Sequence, residues 1–96
     1  MKNPKFHALL EEIAKLHDAK NHDYATDDDP LSNLRQCESF GIPAHVGVCV
    51  RLTDKWSRIT ELVRGKSPKN ESLRDSLMDN AVYSLLAIIL LDEGKK

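Results

Sequence analysis

The sequence lacks a basic excess. Fourteen lysines and arginines stand against fifteen aspartates and glutamates, a formal charge of −1, and the two signs are interspersed along the chain. A protein that grips a nucleic-acid backbone usually carries surplus positive charge, so no nucleic-acid polymer is expected as partner and a compact ligand is favoured. Glycine and proline are sparse, four of each, which argues against a turn-rich all-β chain. Cysteine is scarce too. Cys37 and Cys49 lie far apart with no CxxC and no Cys/His cluster, a pattern of reduced thiols used as small core residues rather than a disulfide or a zinc site. Long apolar runs are also missing. The longest, Ala81 to Leu91, contains Tyr83 and Ser84 and falls short of the ~20 residues a membrane span needs. No N-terminal stretch has the charged, apolar and cleavage regions of a signal peptide. A cytoplasmic location and no membrane partner are therefore expected.

What is present has helical periodicity. Ninety-six residues, 41% of them apolar, fit one domain over 1–96 with a modest core. Phe6, Leu9, Leu10, Ile13 and Leu16 recur at helical spacing in a segment from about Phe6 to Tyr24, with Pro4 suited to its first turn. Asp27-Asp28-Asp29-Pro30 should end that helix, and Leu31 to Phe40 reads as a short helix closed by Gly41. A third helix opens at Pro43, follows Cys49, Leu52, Trp56, Ile59 and Val63, and stops at Gly65. A fourth, capped by Ser67-Pro68 or Asn70, runs to about Asp92. The expected fold is all-α, a small helical bundle of three long helices and one short one. Val82, Leu85, Leu86, Ile88, Ile89, Leu90 and Leu91 make the last helix apolar almost all round. Such a helix should be buried on several sides, so a homodimer or homotetramer is expected.

Three groups of polar residues stand where a plain bundle would not put them. Lys20, followed by His22, Asp23 and Tyr24, lies where the first helix's apolar stripe leaves the core, although a lysine there also suits a snorkelling side chain. Arg51, Asp54, Lys55 and Arg58 share a face of the third helix, and a solvated, salt-bridged face accounts for them when they are taken alone. Glu71, Asp75, Asp79 and Tyr83 follow at four-residue intervals. Successive members drift only ~40° around the helix, giving three acids in a ladder about 6 Å apart. Like charges so spaced need cations opposite them, either the basic groups of the third helix or a divalent metal such as magnesium. Spacing alone accommodates both.

The order of these pieces, Lys20-x-x-Asp23-Tyr24, Asp29-Pro30-Leu31-x-Asn33, Gly41, Arg51-Leu52-x-Asp54-Lys55-x-x-Arg58 and Glu71-Ser72-x-x-Asp75-x-x-x-Asp79-x-x-x-Tyr83, resembles the nucleotide-modification-associated domain of the first type. That family of small proteins, common in bacteriophages, was earlier known as a domain of unknown function. The resemblance runs from Lys15 to Leu91 and implies a link to nucleotides without supplying a reaction. The last two helices also look like the metal-binding pair of the MazG-like all-α nucleoside triphosphate pyrophosphohydrolases, which hold magnesium with EExxE on one helix and ExxD on the next. By position, Asp54 would stand in the first motif, with Glu71, Asp75 and Asp79 in or near the second. Lys55 and Arg58 depart from that pattern, since two cations oppose a metal but suit phosphate. In size, helicity and expected self-association the chain is similar to the small phage sponge proteins that sequester cyclic nucleotide immune signals, an analogy without motif correspondence.

Together these readings imply a nucleotide small molecule held in a polar pocket. Lys20, Arg51, Lys55 and Arg58 would contact phosphate, with His22 in the adjoining polar cluster. Tyr24 and Tyr83 would stack on a base, and Asn33 and Asp54 would hydrogen-bond base or ribose. The favoured expectation is an anti-CBASS-like sponge for a cyclic dinucleotide-type signal, a phage immune-evasion factor acting in the host cytoplasm, with no catalytic residue and no cofactor. The alternatives are a magnesium-dependent pyrophosphohydrolase using Asp54, Glu71, Asp75 and Asp79, and a scaffold of a nucleotide-modification system.

Overall fold

The computed structural model describes residues 1–20, 31–67 and 72–94, the side chain of Lys20 apart. Among them every regular element is helical: α1 over Pro4–Lys20, a 3₁₀ helix over Ser32–Phe40, α2 over Ala44–Val63 and α3 over Leu73–Glu93. The expected three long helices and one short one are present. No helix among the described residues is long and apolar enough to cross a membrane. The chain divides into two compact units, Met1–Asn33 and Leu34–Lys96.

In the first unit α1 starts where Pro4 has no amide hydrogen to leave unpaired. The Asn3 carboxamide oxygen caps the turn, accepting from the Lys5 and Phe6 amides at 3.0 and 3.2 Å, an N-cap arrangement that suits Asn followed by Pro. Asp27-Asp28-Asp29-Pro30, the expected end of this helix, lies outside the described residues.

In the second unit α2 and α3 pack against each other. Gly41, at φ 79°, ends the 3₁₀ helix, and Gly65, at φ 99°, follows α2; both sit in the left-handed region that favours glycine. The 3₁₀ helix is long for its kind at nine residues, since such runs seldom exceed three or four. Arg35 ties it to the far end of α3 through Glu93 at 2.5 Å. At its other side Cys37 closes on Gly47, where an added Cβ would meet the sulfur at 2.5 Å.

The buried stripe of α2 is not the expected one. Ala44, Val48 and Ile59 are buried and Leu52, Lys55 and Leu62 half-buried, a run spaced by fours and threes. Trp56 is 62% exposed, and Val63 and Cys49 are exposed as well. The stripe is therefore rotated away from the largest apolar residues, because Lys55 takes a core position that its ion pair with α3 makes tolerable.

The start of α3 also differs from expectation. Neither Ser67-Pro68 nor Asn70 caps it; Ser72 does, in a reciprocal box with Asp75. The Asp75 amide donates to Ser72 Oγ at 3.1 Å and the Ser72 amide donates to Asp75 Oδ2 at 3.3 Å, so two otherwise orphaned amides are satisfied. Inside the helix, Ser76, Met78, Val82, Tyr83, Leu86 and Leu90 are buried.

Candidate functional site

The α2–α3 interface holds a polar patch where a helix pair of this size would ordinarily be apolar. Lys55 sits in the buried stripe of α2, and Asp79 and Tyr83, four residues apart, face it from α3. The Lys55 ammonium pairs with Asp79 Oδ2, the two side chains being 23% and 13% exposed. The same ammonium lies 4.2 Å from the centre of the Tyr83 ring, and the Arg51 guanidinium carbon lies 5.3 Å from it. Both are within cation–π reach, and Lys55 is desolvated enough for that contact to matter.

Next to this pair a cavity of about 240 Å³ opens, lined by Asp54, Lys55 and Arg58 of α2 and by Ser76 and Asp79 of α3. Asp54 and Arg58 reach it together because they lie one helical turn apart. Asp54 is exposed and Arg58 half-buried, which gives the cavity a wet rim and a drier floor. The Ser76 hydroxyl belongs to the floor. Ser76 is 2% exposed, and its Oγ has no hydrogen-bond partner. A buried hydroxyl left unsatisfied costs roughly 1–3 kcal/mol, and such groups call for a bound water, an ion or a ligand.

Five of the residues expected to bind a nucleotide, Arg51, Asp54, Lys55, Arg58 and Tyr83, therefore lie in the second unit. Asp54, Lys55 and Arg58 line the cavity, whereas Arg51 does not and lies instead against the Tyr83 ring. Tyr83 itself is not presented for stacking. It is 3% exposed, and two cations already lie against its ring, so its face serves α2 rather than a base. Asn33 is exposed and belongs to the first unit. The Lys20 side chain, His22 and Tyr24 lie outside the described residues.

Of the two ways to balance the acid ladder, Asp79 takes the cation of α2. Asp75 points into the helix cap with Ser72, Asp79 is held by Lys55, and Glu71 lies outside the described residues. Among the described residues no three histidines, cysteines, aspartates or glutamates are grouped to hold a metal. The donor set at the cavity, two carboxylates beside two cations, does not fit a magnesium cage, which wants oxygens with little opposing positive charge.

Ser76 was not singled out by the sequence. Its signal is its place on the inner stripe of α3, three residues before Asp79 and seven before Tyr83. No family model, curated protein or solved structure matches this chain.

Proposed function

We propose that this chain binds and holds a phosphorylated nucleotide, the phosphate entering the α2–α3 cavity. The observation that carries this reading is the buried, unsatisfied Ser76 hydroxyl on the floor of a cavity that also presents Lys55 and Arg58. A phosphate oxygen accepts hydrogen bonds readily. Ser76 would donate one neutral bond, and the guanidinium of Arg58 one or two charge-assisted ones. Lys55, held between Asp79 and Tyr83, would add positive charge without swinging freely. Asp54 on the rim accepts only, which suits a ribose hydroxyl.

Size narrows the ligand. Clefts that enclose whole drug-sized molecules run to roughly 300–1,000 Å³, so a cavity of about 240 Å³ takes a phosphate and its sugar and leaves a base outside. A cyclic dinucleotide-type signal, held by one of its phosphates and sequestered as phage sponges do, remains the favoured identity. Asp54 and Asp79 at one cavity favour the second reading, a magnesium-dependent pyrophosphohydrolase. The cap engagement of Asp75 and the pairing of Asp79 with Lys55 weigh against it. Self-association into a homodimer or homotetramer belongs to the same proposal and is supported by the exposed apolar surface of α3.

The test is calorimetric titration of a nucleotide and cyclic dinucleotide panel, with thermal melts alongside. Ser76→Ala should weaken binding by roughly 3- to 10-fold, the value of one neutral hydrogen bond. Arg58→Ala should weaken it by roughly 30- to 1000-fold, as for a charge-assisted contact. Both variants should melt near wild type. Ligand recovered intact after heat denaturation in magnesium supports sequestration, cleaved product supports the hydrolase, and no retention removes the nucleotide from the account.

A further inference from the structure

The face of α3 turned to solvent is as patterned as the one turned to α2. Leu77, Ala81, Ser84, Ile88 and Leu91 follow one another at intervals of four, three, four and three residues, the a/d spacing of a helix that packs along its length against another. Leu77 and Ile88 are 48% and 53% exposed, and Leu73, Leu85 and Leu91 flank them in the open. Ala81 and Ser84 between them are small, so a second helix could approach closely at mid-length while large side chains interlock at both ends.

The first four positions of this pattern are palindromic. Leu77 and Ile88 lie at equal distances either side of a point between Val82 and Tyr83, and so do Ala81 and Ser84. An isologous interface requires such self-complementarity. We infer that this seam is the contact with a second copy of the chain, the two α3 helices packing antiparallel about a two-fold axis at that midpoint. Leu77 of each copy then meets Ile88 of the other, and Ala81 meets Ser84.

The helix dipoles favour the same orientation, since antiparallel packing sets each helix end beside the oppositely charged end of its partner and parallel packing would align like ends. The inference rests on the self-association proposed above but not on the nucleotide, because the seam does not involve the cavity.

Light scattering on the full chain at micromolar concentration should give about twice the 10.8 kDa chain mass. Ala81→Glu, which puts a charge at the closest approach, should give the single-chain mass with an unchanged helical circular dichroism spectrum. Orientation is read separately by cross-linking in a Cys37→Ala/Cys49→Ala background. Leu77→Cys mixed with Ile88→Cys should oxidise mainly to the mixed disulfide, because the two positions oppose each other only in the antiparallel pair. A single-chain mass for the wild type overturns the inference, as does a preference of Leu77→Cys for linking to itself. If Ala81→Glu fails to fold, the cross-link alone decides.

Discussion

Lys55 is the residue on which the α2–α3 interface turns. Its ammonium carries a desolvation cost that Asp79 and the Tyr83 ring offset. Removing one charge of such a pair leaves the other poorly compensated in a half-dry place, whereas replacing both with apolar groups can be nearly neutral. The pair is less enclosed than a core ion pair, so the expected cost is reduced accordingly. Lys55→Met and Asp79→Leu should each destabilise by about 1–3 kcal/mol, and the double variant by clearly less than their sum. Urea denaturation of the four proteins measures the coupling. Simple additivity would mean that the two residues do not act as a pair. The sequence groups Lys55 with Arg51, Asp54 and Arg58 on one charged face, and three of the four, without Arg51, line the cavity. It did not reveal that Lys55 also occupies the core stripe, because a lysine enters an apolar interface only when its counterion on another helix is known. Ser76 was hidden for a related reason: a lone serine carries no charge or bulk to mark it, and only its burial beside two cations makes it chemically notable.

Elements were legible where their signals were local. Gly41 and Gly65 end the 3₁₀ helix and α2 as their φ angles demand, and Pro4 opens α1. The start of α3 was harder, since Ser67-Pro68, Asn70 and Ser72 all offer capping chemistry within six residues. Ser72 prevails because Asp75 stands three residues on and completes the box, which also withdraws Asp75 from the acid ladder that spacing alone suggested. The α2 stripe runs through the smaller Ala44 and Val48 and leaves Trp56 and Val63 exposed, although their size alone would promise burial. One small residue gives a sharp prediction. A glycine inside a helix normally costs ~1 kcal/mol relative to alanine, so Gly47→Ala on a free surface would stabilise α2. Here the new methyl would stand 2.5 Å from the Cys37 sulfur and 3.4 Å from its Cβ, so the Cys37 side chain must turn out of its place or the 3₁₀ helix must shift, and the substitution should lose the expected gain or destabilise. In a Cys37→Ala background the sulfur is gone and only the tolerable 3.4 Å contact remains. There Gly47→Ala should raise stability by up to about 1 kcal/mol. Paired thermal melts of the two backgrounds read that difference directly, and the same gain in both would show that the two elements do not press on each other at this point.

At the scale of the molecule, a chain of 96 residues buries a modest share of its surface and gains from any further burial. The second unit leaves large apolar side chains in the open on α3, among them Leu77, Leu85, Ile88 and Ile89. If a second copy covers the outer seam of α3, association adds to the stability of the folded chain, and stability depends on protein concentration by mass action. A hundred-fold dilution then removes about 2.7 kcal/mol per dimer. For roughly 200 residues unfolding together, each kcal/mol moves the midpoint by about 2–4 °C, so Tm should fall by about 5–10 °C over that dilution. Ala81→Glu separates this effect from instrument or aggregation artefacts: its side chain lies on the outer seam, away from the cavity, so the variant should melt at one temperature regardless of concentration and at or below the most dilute wild type. Nucleotide binding at the cavity should be retained in that variant, because Ser76 lies on the opposite side of α3 and Arg58 belongs to α2. A wild-type Tm that does not move with concentration would leave the apolar seam of α3 without a second copy to cover it.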